Sequence, residues 1–386
     1  MQIVRLKLKN WRNFREVDIP LGPRTVVIGA NASGKSNLLD VFRFLRTVAQ
    51  KDGGGVQKAL RERDGLVKLR SLHARRDPEV RIEVELRAAP PEEPHVWRYV
   101  LALRSEGTGQ QRVLVAEERV ERDGVPILER PDAADRKDKE RLTQTHLEQI
   151  GSNGDFRALA ESFAATTYLH LVPQLLKHGD EIATRIPEND PFGQGLLQRI
   201  AKTPRQTRDA RLKRIQKALA DAVPLFSELR FEQDAVTGLW HLEARFTHWR
   251  THGAWQRENQ FSDGTLRLIG LLWALQEGDG LLLLEEPELS LNDGIVARVP
   301  LLIDRVLRSR KRAATSRQVL VSTHSETLLA HSQGDALLLI EPSANGSTIR
   351  PPTAEEAEQM QHGLNPAEVL LPKTRPDSLD QLGLWE

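Results

Sequence analysis

The chain of 386 residues contains no cysteine. That excludes a disulfide, a thiolate metal site and a cysteine nucleophile together. No stretch reaches the roughly 18 apolar residues of a membrane-spanning helix, so no membrane partner is expected. The opening MQIVRLKLKNWRNF lacks the apolar centre of a signal peptide, and a cytoplasmic location is expected. No repeat of solenoid period appears, and no heptad pattern is sustained. Net charge is only +1. Overall charge therefore argues neither for nor against a nucleic-acid partner, and only local clusters carry information.

What is present is a globular composition, 39% hydrophobic and 28% charged. Val4, Leu6 and Leu8 alternate with Arg5, Lys7 and Lys9, which predicts a half-buried strand. RTVVIG (24–29) reads as a fully apolar strand, and NLLDVFRFLRTVAQ (37–50) has helical spacing. VRIEVELRA, VWRYVLALR and QRVLVAEERV alternate, with PPEEP and EGTG between them, as in an antiparallel meander. Residues 133–149 are densely charged and expected to be helical. Residues 190–223 are basic and helical in pattern, an inserted arm or lid. DGTLRLIGLLWALQ (263–276) predicts a buried helix, and LLLLEEPE (281–288) and QVLVSTHS (318–325) predict strands. DALLLIE and STIRP read as a closing pair, and the apolar tail DSLDQLGLWE is expected to dock. Strands alternating with helices at both ends imply an α/β fold with a parallel sheet. Three segments follow: 1–132, a lobe with the meander; 133–227, a helical insert; and 228–386, a second lobe.

Four short stretches carry candidate chemistry. GANASGKS (29–36) matches G-x-x-x-x-G-K-[ST] at Gly29, Gly34, Lys35 and Ser36, between a strand and a helix. Its glycines allow backbone N–H groups to face phosphate oxygens, and the following helix adds its positive end. Lys35 reaches the β- and γ-phosphates in such a loop, and Ser36 holds Mg²⁺. LLLLEEPE ends an apolar strand in two carboxylates at the carboxyl edge of the sheet. Glu285 is the candidate Mg²⁺ ligand, and Glu286 the candidate base for the attacking water. The other reading is a solvated acidic turn. In FSDGTLR (261–267), Ser262 is an ordinary helix N-cap or, with the Gly264 amide, a γ-phosphate contact. In VSTHS, His324 is a γ-phosphate or water contact, or a structural histidine at a strand end.

The order of these motifs resembles that of an ABC-type ATPase head of the RecF, SMC and OLD group, most closely the stand-alone OLD-like ATPases. GANASGKSNLLD resembles the Walker A motif, FSDGTLR the signature, LLLLEEPE the Walker B and STHS the switch histidine; LKNWRNFREVDIPL resembles the group's opening strands. The resemblance covers about 1–50 and 255–340. It implies a P-loop fold with an antiparallel subdomain and a helical arm, and ATP and Mg²⁺ as cofactors. The implied nucleotide contacts are Gly29, Asn31, Gly34, Lys35, Ser36, Asn37, Ser262 and Gly264, with Glu286 and His324 catalytic. It also implies a homodimer or higher homo-oligomer in which Ser262 of one subunit caps ATP held by the other. Two departures stand out. Glu285 replaces the usual aspartate, and Asn292 replaces an aspartate found after Walker B in transporters. The family's glutamine loop has only Gln50 and Gln57 as candidates, with His73 nearby.

Lys35 and Glu285 are 250 residues apart without heptads between them, unlike SMC chains. The 62 residues after His324 are too few for the TOPRIM nuclease domain of full OLD proteins, so a separate partner is expected to supply any nuclease action. A transporter subunit is the rival enzyme class; the meander, the basic insert and the opening strands speak against it. A clamp on double-stranded DNA is the leading expectation, for repair or anti-phage defence. It draws on Arg61, Arg63, Lys68, Arg70, Arg75 and Arg76, and on Arg199, Lys202, Arg205, Arg208, Arg211, Lys213, Arg214 and Lys217. Such runs also occur as solvated helix faces. No aromatic residues interleave the second run, so base stacking is not expected there. The alternative is an ATPase scaffold that controls a separate effector protein, such as a nuclease or toxin.

Overall fold

A computed structural model describes residues 1–74, 77–88, 95–107, 112–178, 190, 192–247, 255–311, 317–332 and 334–374. The chain forms two compact units. One comprises Met1–Thr167, Asp279–Leu283 and Leu307–Glu386, the other Tyr168–Gly278 and Leu284–Val306. PPEEP and the DSLDQLGLWE tail lie outside the described residues.

The first unit holds an antiparallel sheet in the order β2-β1-β4-β5-β6-β7. Its strands are β1 (Gln2–Trp11), β2 (Phe14–Pro20), β4 (Val80–Arg87), β5 (Val96–Ser105), β6 (Val113–Arg122) and β7 (Val125–Arg130). The alternation in β1 places Leu6 and Leu8 inside, and a register shift between Ile3 and Arg5 buries Ile3 as well. The expected meander is β4, β5 and β6, paired antiparallel in sequence order. Charges on the other side pair across strands: Lys7 with Glu83, Arg98 with Glu83 and Glu121, and Arg81 with Glu117.

A second sheet has the order β15-β14-β3-β13-β12-β8, with β3 (Arg24–Gly29), β8 (Thr167–Leu169), β12 (Leu282–Glu285), β13 (Val319–Thr323), β14 (Ala336–Glu341) and β15 (Thr348–Arg350). Val26, Val27 and Ile28 are fully buried, as a central parallel strand requires. The strand β3 pairs parallel with both β13 and β14, and β15 closes antiparallel on β14. Within the first unit, Gln318 joins β1 to the edge of β13. Its amide accepts from Ile3 N at 2.9 Å and donates to Ile3 O at 2.7 Å.

The charged stretch 133–149 is helical only in part. An α-helix runs over Ala133–Lys137; Asp138 then accepts from Glu140 N and starts a 3-10 turn, Lys139–Thr143. The physical reason is that Asp135 is turned inward, onto Arg130 of β7 and beside Glu118 of β6. Arg130 donates to both Asp135 oxygens (2.8 and 2.9 Å), to Glu118 (2.9 Å) and to the carbonyls of Gln144 and Arg141. All five guanidinium donors are thereby used. Glu118 also accepts from the His146 and Leu147 amides.

In the second unit, β9 (Phe226–Gln233), β10 (Trp240–Phe246) and β11 (Trp255–Arg257) form an antiparallel sheet ordered β11-β10-β9. The expected arm resolves into helices Leu196–Lys202 and Arg205–Ala222; the latter buries Leu212, Ile215 and Leu219. The expected helix Asp263–Gln276 is formed with those bounds and is almost wholly buried.

Candidate nucleotide-binding site

The strand β3 stops at Gly29 and a helix begins at Lys35, running to Ala49. Between them Ala32 (φ 61°) and Gly34 (φ 114°) take left-handed conformations. A Cβ on Gly34 would lie 2.1 Å from Asn13 Nδ2, so only glycine fits. The N–H groups of Asn31, Ala32 and Gly34 have no hydrogen-bond partner among the described residues, although Gly34 is buried. Buried donors are nearly always satisfied, so this loop is built for an acceptor. The helix has no acid in its first turn, which suits an anion at its N-terminus. Lys35 is buried and folds back, its Nζ donating to Gly29 O (2.9 Å) and Ala30 O (3.1 Å). A triphosphate fits these donors. Lys35→Ala is expected to weaken ATP binding by on the order of a hundredfold or more, read by titration calorimetry.

Ser36 is exposed at the helix start, and Asn37 follows it. Asn37 O accepts from Trp11 Nε1 at 2.8 Å, which fastens the end of β1 to the helix. One turn on, Asp40 receives Arg63 and Arg12. Burial alone would raise its carboxyl; the two guanidinium groups outweigh burial and hold it below the ordinary carboxylate range. His324 follows β13, whose Thr323 is in register with Ile28. The parallel pairing therefore brings His324 and the loop to the same edge of the sheet. His324 is exposed, and Ser325 beside it caps the short helix Glu326–Ala330.

The second unit carries the other candidates. Glu285 ends β12, and its carboxylate accepts from Tyr168 OH at 2.6 Å. Glu286 has φ 45°, a strained conformation of the kind that concentrates at functional positions. Arg267 faces the carboxylates of Asp263, Glu286 and Glu288; burial lowers its pKa against their pull. Ser262 caps the Asp263–Gln276 helix, accepting from Thr265 N at 3.1 Å. Its hydroxyl is in an exposed residue, so the capping role and a further contact are compatible. Gly264 is packed so that a Cβ would meet Ser290 O at 2.5 Å. Asn292 is an N-cap, accepting from Gly294 N.

Sequence reasoning missed several neighbours of these residues. Tyr168 lies within β8 and Gln174 follows it, and Gln174 and Lys177 both donate to Asp263 at 2.6 Å. Their signal was the short apolar strand in TTYLHLVPQ. Gln57 is spent on the carbonyls of Val113 and Thr143. Gln50 ends the Lys35–Ala49 helix with its buried Oε1 unpartnered among the described residues. His73 lines an open cavity of about 540 Å³ with Lys9, Arg15 and Asn345.

The basic runs are built into the fold only in part, and Arg205 and Arg214 are exposed despite their partners. Arg63 is buried on Asp40, while Arg61 and Lys68 are exposed; Arg75 and Arg76 lie outside the described residues. Arg199 pairs with Asp190 and Glu277, and Arg205 with Asp209. Arg208 covers the stacked Phe231–Trp240 rings, and Arg211 lies over Trp273. Arg214 donates to Gln276. Lys202, Lys213 and Lys217 remain exposed.

A phosphate loop at the end of a parallel strand, an acid-ended strand in the same sheet order and an antiparallel sheet define an ABC-type ATPase head of the RecF and SMC group. Solved structures agree at the level of the fold. An Smc head bound to the C-winged helix domain of ScpA has TM-score 0.55 and 17% identity, over 92% of this chain and 100% of that one. An Smc head from Pyrococcus furiosus has TM-score 0.51 and 15% identity, over 94% and 98%. The chain belongs to the family described as AAA domain, putative AbiEii toxin, Type IV TA system, which matches residues 24–330. Among curated relatives, the DNA replication and repair protein RecF of Brucella abortus (strain 2308) is 45% identical over 60 residues, 15% of this chain. RecF of Agathobacter rectalis is 30% identical over 88 residues, 22% of this chain. The matches span only 14% and 24% of the RecF chains. Family membership supports ATP hydrolysis at the level of the family. Among the described residues, no helix is long and apolar enough to cross a membrane.

Proposed function

We propose that the protein is a Mg²⁺-dependent ATPase that acts as a nucleotide-gated dimeric switch. The observation that carries the reading is the set of unpartnered amides at Asn31, Ala32 and Gly34 around a buried Lys35. Lys35 holds the β- and γ-phosphates, with Asn37 a further phosphate contact. Bound Mg²⁺ offsets phosphate charge, and Ser36 and Glu285 are the protein oxygens that hold it. Hard oxygen donors in small number suit this ion, which retains waters and phosphate ligands. Glu286 takes the proton of the attacking water, and His324 contacts that water or the γ-phosphate. Ser262 and the Gly264 amide of one protomer meet the γ-phosphate held by the other. Loss of that phosphate removes the shared contact, so ATP and ADP select different association states.

The short likeness to RecF supports association with double-stranded DNA, and Arg61, Lys68, Lys202, Arg205, Lys213, Arg214 and Lys217 are exposed cations available for it. A second reading, a scaffold that controls a separate effector protein, is favoured by the toxin–antitoxin description of the family and by the structural use of Arg63, Arg199, Arg208 and Arg211. Light scattering of the protein with ATP and Mg²⁺ is the test. A dimer with ATP but not ADP is expected, and Ser262→Arg should leave a monomer. A monomer at every concentration in both forms counts against the switch. Mixing the dimer with duplex DNA at moderate salt then separates the two readings.

A further inference from the structure

The loop's conformation is held from outside, by residues that no motif marks. Ser33 O accepts two hydrogen bonds, from Asn13 Nδ2 at 2.7 Å and from Ser347 Oγ at 2.7 Å. The second Asn13 Nδ2 proton goes to Ser347 Oγ at 2.8 Å. Asn37 Nδ2 donates to Asn13 Oδ1 at 2.7 Å, which fixes the orientation of the Asn13 amide. The backbone completes the arrangement, with Ser347 N donating to Asn13 O at 2.8 Å. Gly346 (φ 103°) permits this approach, because a Cβ there would stand 2.6 Å from Asn13 O. Asn13 lies in the turn between β1 and β2, and Ser347 in the turn before β15; both belong to the first unit.

The consequence is geometric. A trans peptide is planar, with its C=O and N–H pointing in opposite directions. Two donors on Ser33 O therefore turn the Gly34 N–H away from them. That N–H belongs to a buried residue and has no partner among the described residues. Without the clamp the Ser33–Gly34 peptide is free to rotate, since glycine tolerates most backbone angles. The rotated form presents a carbonyl oxygen where a phosphate oxygen should sit.

We infer that Asn13 and Ser347 are positioning residues for the phosphate loop, acting through the Ser33 carbonyl to aim the Gly34 amide at the nucleotide phosphates. Both roles presuppose the phosphate-binding reading of the loop. They also give the β14–β15 turn a part in nucleotide affinity, although it is more than 300 residues from the motif in sequence.

The test compares wild type with Ser347→Ala, Ser347→Thr and Asn13→Ala, using ATP and inorganic pyrophosphate as probes. About tenfold weaker binding of both probes is expected for Ser347→Ala, and more for Asn13→Ala. Ser347→Thr retains the hydroxyl and should restore affinity. KM should rise while kcat at saturating ATP stays near the wild-type value, and the melting temperature without nucleotide should change little. A merely structural role would lower that melting temperature and leave the affinity of the folded fraction unchanged. Wild-type affinity for both probes in Ser347→Ala and in any folded Asn13→Ala would overturn the assignment. Failure of the wild type itself to bind either probe would instead overturn the phosphate-binding reading.

Discussion

Glu286→Gln is expected to lower kcat for ATP by about 10²–10⁴-fold, the usual contribution of a general base, while ATP still binds. The exchange keeps the volume of the side chain and removes its charge, so the cradle at Gly29–Ser36 is untouched. Glu286 directly follows β12 in a left-handed conformation (φ 45°). An extended residue there would project its side chain elsewhere, and the strain is tolerated because Leu282, Leu283 and Leu284 are fully buried and fix the strand. Glu285 is differently placed, its carboxylate held by the Tyr168 hydroxyl. The two acids therefore have separable variants. Glu285→Gln should lose Mg²⁺-dependent binding, whereas Glu286→Gln should retain it and accumulate as an ATP-bound dimer. Single-turnover hydrolysis with light scattering on the same samples reads both. Turnover of Glu286→Gln at the wild-type rate would place the base elsewhere.

The second large effect concerns stability. Arg130→Met is expected to destabilise the first unit by about 3–5 kcal/mol, the cost of stranding buried charge by removing one partner. The side chains of Arg130, Asp135 and Glu118 are 1%, 0% and 0% exposed. Removing the guanidinium leaves two carboxylates in a dry site and uncaps the carbonyls of Arg141 and Gln144. Chemical denaturation monitored by tryptophan fluorescence measures the loss. Arg130→Lys should recover only part of it, because an ammonium has three donors where five are used. The pH dependence follows from Asp135. The hydrogen bonds from Arg130, foremost, hold its carboxyl far below the ordinary range, against burial. Its contribution is therefore present above the unfolded carboxylate pKa of about 4 and lost as pH falls towards the folded value. In Arg130→Met that acid-side loss should largely disappear. An Arg130→Met protein as stable as wild type would mean that the cluster only specifies the turn and does not stabilise it.

The strands and helices nearest the chemistry were legible because their signals are local. In RTVVIG the run Val26–Ile28 is apolar since both faces of β3 are covered, and the expected bounds at Arg24 and Gly29 match the strand. The Asp263–Gln276 helix showed its N-cap, Ser262, and its apolar run directly. The stretch 133–149 misled because dense charge usually means a solvated helix. Here Arg130, from a neighbouring strand, takes Asp135 inside together with Glu118 of β6, and no periodicity marks that. The basic run 199–217 is only partly a solvated face. Arg208 and Arg211 pack on aromatic rings from β9, β10 and the Asp263–Gln276 helix, and such rings are invisible to a window on the run itself.

The sequence by itself determined the phosphate loop, the acid-ended strand and their order, because glycine freedom, apolar periodicity and motif spacing are properties of a few adjacent residues. Only the tertiary structure decided which side chains hold those motifs in shape. Asn13, Ser347 and Tyr168 reach their places through sheet pairing and turns far apart in the chain, and a hydrogen bond between distant residues leaves no trace in either one's local pattern.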